Sequence, residues 1–69
     1  MKFELKPQQQ FIELNKLLQI MNITQTGGHS KIVIKNEEVS VNGKTETQVR
    51  KKLKKDDVVS VGDFEITIK

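Results

Sequence analysis

The chain has no cysteine, no tryptophan, no tyrosine, one proline and one histidine in 69 residues. Without cysteine there is no disulfide framework, no thiolate metal site and no thiol nucleophile. A secreted domain of this size would usually need disulfides, so a reducing cytoplasm is the expected compartment. With His29 as the lone imidazole, the usual zinc ligand sets cannot be assembled, and no metal or other cofactor is expected. His29 reads instead as a surface residue. The three phenylalanines, Phe3, Phe11 and Phe64, each sit on an apolar pattern, which argues against an aromatic base-stacking platform. Long apolar runs are also missing: no stretch could span a bilayer, and "MKFELKPQQQ" lacks a signal-peptide core. Catalysis has as little support. Asp56-Asp57 could be offered as paired carboxylates, but adjacent turn residues diverge, and no base, nucleophile or cofactor loop accompanies them. No enzyme activity and no small-molecule substrate are expected.

What is present is unevenly distributed charge. Positions 44–55, "KTETQVRKKLKK", carry six Lys/Arg against Glu46, while the rest of the chain holds six basic and eight acidic residues. A net charge of +3 therefore hides a local excess of +5. Such a patch attracts polyanions, although a solvated lysine-rich loop produces the same composition. At 69 residues the chain makes one domain, 1–69, near the size where a single core is only marginally stabilising.

Apolar spacing supplies the elements. Phe3 and Leu5 alternate with polar neighbours as a short strand that Pro7 ends. Phe11, Leu14, Leu18 and Met21, widened by Leu17, follow helical spacing and predict a helix over 11–22. Val39 and Val41 alternate before an Asn42-Gly43 hairpin turn. Lys55-Asp56-Asp57 reads as a turn, "VVSV" as a strand and Val61-Gly62-Asp63 as another turn. "FEITI" closes as a strand with Phe64, Ile66 and Ile68 on one face.

Residues 26–41 admit two readings. Local β propensity favours a hairpin, with strands at 31–35 and 39–41. That leaves Thr26-Gly27-Gly28 without a role. Read as punctuation, Thr26 is an N-cap, and a helix from Gly27 to Asn36 puts Ser30, Val33 and Ile34 on one face. Lys31 and Lys35 then stand at i, i+4, a like-charge pair that mildly destabilises an isolated helix but suits one that phosphates approach.

The order of these pieces resembles the ribosomal-protein-S-four type of RNA-binding domain, in its small free-standing bacterial form (YaaA/YbcJ-like). Leu14, Leu17 and Leu18 match its first helix, Thr26-Gly27-Gly28 its cap, and Ser30-Lys31 with Ile34 its second helix. Val39-Ser40-Val41-Asn42-Gly43, Glu46-Thr47, Arg50, Lys52, Leu53 and Asp57-Val58 follow in the family's order, so the core motif spans about 11–61. The resemblance settles the disputed segment as helix. It implies an α+β fold, a helix pair packed on a small mainly antiparallel sheet (the alpha-L RNA-binding motif). It also implies a partner, structured RNA, with ribosomal RNA or a ribosomal particle foremost and ribosome assembly or translation as the setting. Carried over by position, the contacts would be Thr26, Gly27, Gly28, Lys31, Lys35, Asn42, Arg50, Lys51 and Lys52. Lys54 and Lys55 add to the field. Glycines at a helix start admit a sugar-phosphate backbone, and free amides there favour anions; a loop needing unusual dihedrals would explain them equally. A monomer is expected.

Four departures stand out. Glu37 occupies a position where the family has Gly, so Asn36 is expected to take the left-handed conformation. Lys55-Asp56 replaces Pro-Gly, Gly27 replaces an Arg common in larger relatives, and Ser30 replaces Ala. The competing interpretation is a small protein-interaction module docking an acidic partner. "VNGK…L…DDVVSV" is also similar to β-grasp sulfur carriers, but the chain ends "EITIK" rather than Gly-Gly.

Overall fold

The first stretch of the helical stripe is not helical. In the computed structural model, which describes residues 1–69, Ile12–Glu13 form a strand (β2) and the first helix (α1) covers Leu14–Ile20. β2 pairs antiparallel with Lys52–Leu53 (β5), setting Ile12 opposite Leu53 and Glu13 opposite Lys52. Strand side chains alternate, so Ile12 turns into the core and Phe11 turns out, 37% exposed. Phe11 entered the expected stripe only because helical spacing was continued through a segment with period two. At the other end Asn22 adopts φ 61°, and the amides of Ile23 and Thr24 both return to the Leu18 carbonyl. This left-handed cap ends the helix short of Asn22.

The second helix (α2) runs Gly27–Lys35, and no 31–41 hairpin forms. Thr26 is extended, at φ −139° and ψ 167°, and its Oγ1 accepts the His29 N–H at 3.0 Å. The expected left-handed Asn36 is not found: it sits at φ −80° and its N–H still closes the last turn onto Ile32. The reversal falls one residue later, on Glu37 at φ 61°, whose N–H bonds the Ile34 carbonyl while that of Glu38 reaches Val33. An acidic side chain thus occupies a conformation that favours glycine.

The remaining strands are Lys2–Phe3 (β1), Val39–Val41 (β3), Lys44–Thr45 (β4), Val58–Val61 (β6) and Phe64–Ile68 (β7). They form one sheet in the order β1-β7-β6-β3-β4, with β1 parallel to β7 and the other pairs antiparallel. Asn42 and Gly43 both have positive φ, 52° and 85°, as the tight turn of a two-residue hairpin requires. In β7, Ile66 and Ile68 are fully buried, but Phe64 closes the hairpin opposite Val61 and stays half exposed.

The helices cover one face of the sheet. Leu14, Leu17, Leu18 and Ile34 are fully buried against Val39, Val59, Ile66 and Ile68, each large side chain contributing about 1.5–3 kcal/mol. Between the helices Ser30, also fully buried, has its Oγ within bonding reach of Thr24 Oγ1 and of the Asn15 and Thr26 carbonyls. With one proton it donates to a carbonyl and accepts from Thr24. Neither helix is long and apolar enough to cross a membrane.

Candidate nucleic-acid interface

A helix begins with amides that lack internal acceptors. In α1 these are met by the basic segment: Leu14 N–H donates to the Lys51 carbonyl at 2.9 Å and Asn15 N–H to the Val49 carbonyl at 3.0 Å. The same segment is braced by Gln48 N–H on Glu46 Oε2 and Lys51 N–H on the Gln48 carbonyl. Leu53 is fully buried and Val49 packs against the core. The basic run is therefore not a free loop. It is anchored to the start of the first helix.

This anchoring brings Arg50 to the start of α2. Gly27, Gly28, Lys31 and Arg50, with Asn15 and Val49, line one shallow cleft of about 440 Å³. The cleft contains two cations and no carboxylate. The protein's one ion pair, Lys16 to Glu13 at 3.7 Å, involves neither of those cations. The amides of Gly27 and Gly28 donate to nothing within the protein; Thr26 takes the third amide of the turn, and Ser30 N–H the first helical bond.

Neither glycine has positive φ, so unusual dihedrals do not explain the pair. Nor does crowding. A Cβ at Gly27 would come no nearer than 3.5 Å to Gln19 Nε2, and one at Gly28 no nearer than 3.9 Å to Thr26 Oγ1. Both are ordinary contacts.

Arg50 and Lys51 diverge. Lys51 and Lys52 line a second cleft of about 440 Å³ with Asn42, Lys44, Lys54 and Asp57, joined by Val41 and Glu46. Asn42 is already engaged there. Its Nδ2 donates to Asp57 Oδ1 at 3.0 Å, and its Oδ1 accepts the Val58 N–H at 2.9 Å. Asp57 in turn accepts the Lys54 N–H at 2.8 Å and holds the turn, as its position implied. Asp56, beside it, takes φ 77°, a conformation that favours glycine. Lys35 is exposed in the last turn of α2 and lines neither cleft. His29 is exposed, its Nδ1 accepting from the Gln25 amide at 3.3 Å.

Several lining residues were not foreseen, among them Asn15, Val49 and Lys44. Asn15 lay on the polar face of the first helix with nothing to mark it; its Oδ1 is buried without a hydrogen-bond partner. Val49 is an isolated apolar residue inside the basic run, and Lys44 was counted only as charge. The ring of Phe11, expected in the core, instead lies under Lys52, with Nζ 5.0 Å from its centroid.

No curated protein matches the chain. A family model described as S4 domain matches residues 5–69, nearly its whole length. The matched span includes both helices, the hairpin turn and the anchored basic segment, and the chain belongs to the S4 domain family, whose members are in general RNA-binding rather than catalytic.

Proposed function

We propose that this protein binds structured RNA, without catalysis, through the cleft between the start of α2 and Arg50 and through the adjoining lysines. The observation that carries the reading is the cleft's composition: two glycine amide donors with no acceptor in the protein, two unpaired cations and no acidic group. Anions are favoured where helix amides are free, and glycines there leave room for a nucleic-acid backbone. Thr26 orients the turn, Lys31, Lys35 and Arg50 meet phosphates, and Lys51 and Lys52 extend the surface past Arg50. Asn42 acts by shaping the turn beside those lysines. The chain works as one unit over 1–69. Ribosomal RNA or a ribosomal particle is the target we favour, in the bacterial cytoplasm, during ribosome assembly or translation.

Contact with about three to five phosphates gives a log–log salt slope of roughly −2 to −4. Replacing Lys31 and Arg50 together makes that slope shallower by about two units, with thermal stability nearly unchanged because both charges are exposed and unpaired. Titrating folded RNA hairpins at several salt concentrations tests this. Wild-type binding no tighter than that of an unrelated basic protein of equal charge would overturn it, in favour of an acidic protein partner.

A further inference from the structure

β2 and β5 form a two-stranded ribbon whose inner face is Ile12 and Leu53. Alternation puts Phe11, Glu13, Lys52 and Lys54 on its outer face. Glu13 is paired with Lys16, so Lys52 and Lys54 remain unpaired cations beside an exposed phenyl ring. The Lys52 ammonium lies over that ring and also lines the second basic cleft. The ring itself walls a separate shallow cleft of about 290 Å³ with Gln9, Ile12, Glu13, Lys16 and Ile20. Ile20 is 56% exposed there, and Gln9 spends its Oε1 on the Lys6 amide, leaving its NH₂ donor free.

A flat apolar wall, a polar rim and flanking cations suit a nucleotide with a free base: the base has a π-face and polar edges, and its phosphate needs a cation. A base still paired within a helix could not enter. We propose that Phe11 is a stacking site for an unpaired nucleobase of the bound RNA, with Lys52 and Lys54 holding the adjacent phosphate. The site rests on the RNA-binding reading and deepens it: the preferred RNA carries an unpaired nucleotide next to a folded element.

The test compares two RNA hairpins of equal phosphate count, one blunt and one with an unpaired tail. Wild type should prefer the tailed RNA. Phe11→Ala and Phe11→Leu should each lose about tenfold on the tailed RNA, keep the blunt-hairpin affinity, and leave the salt slope unchanged. Phe11→Trp should retain the preference; its indole, alone in the chain, should be quenched by the tailed hairpin and not by the blunt one. Retention of the preference by Phe11→Leu would assign the patch to generic apolar contact and overturn the proposal. So would indole emission unmoved at saturating tailed RNA. If both hairpins bind through Lys31 and Arg50 and no Phe11 variant differs, stacking alone fails; if neither RNA binds wild type, the RNA-binding reading falls and stacking falls with it.

Discussion

Gly28→Ala separates stability from binding, because the two should move in opposite directions. Gly28 sits in the first turn of α2 with helical dihedrals, and outside its own helix an added Cβ would find only Thr26 Oγ1 within 4 Å. Nothing in the folded protein resists the methyl. Alanine also loses less backbone freedom than glycine on entering a helix, a gain of about 0.5–1 kcal/mol. For a domain of this size that raises Tm by about 2–8 °C. Gly28 nevertheless lines the cleft that it shares with Lys31 and Arg50, so the methyl would narrow the approach to that wall. It would hold a phosphate away from the Gly27 and Gly28 amides. A hydrogen bond to a charged acceptor contributes about 1.5–3 kcal/mol, so losing one should weaken RNA binding by about tenfold or more. Thermal melts followed by circular dichroism, paired with hairpin titrations at one fixed salt concentration, read both effects. A variant that melts higher and binds as tightly as wild type would refute the close-approach argument. One that melts lower would refute the packing argument.

Two further outcomes follow from the backbone. Glu37→Gly should stabilise the fold by about 0.5–1 kcal/mol, since φ 61° strains a side-chain-bearing residue; Asp56→Gly, at φ 77°, should gain less because aspartate tolerates that region better. Denaturant titration checks both, and a loss of stability in Glu37→Gly would show that its side chain makes a compensating contact. Asn42→Ala removes the bonds to Asp57 and Val58 and leaves alanine at φ 52°, so it should cost about 2–4 kcal/mol, with RNA affinity of the folded fraction falling far less than for Lys51→Ala with Lys52→Ala.

The parts of the fold legible in the sequence are those where a local rule and the tertiary context agree. Thr26 as N-cap, the Asn42-Gly43 turn and the buried Leu14, Leu17, Leu18 set all belong here. Phe11 and Asn36 were misplaced for one kind of reason. Each lies at a boundary where a neighbouring backbone bond decides the period: β5 captures the residues after Phe11, and the Ile32 carbonyl keeps Asn36 within the helix. Of the interface, the helix start and the basic run were each visible as composition. Their meeting at Lys31 and Arg50 depends on the Leu14 and Asn15 amides reaching Lys51 and Val49, which no periodicity encodes.

Those two bonds also bear on how fast the protein finds its partner. A lysine-rich run this dense would, if unanchored, sample many shapes and have to be selected or ordered during each encounter. Held by the first helix, by Leu53 and by the 46–51 turn bonds, Arg50 and its neighbours stand ready before RNA arrives. Ordering costs are then already met in folding, and association should proceed in a single phase whose rate rises linearly with RNA concentration and falls with salt.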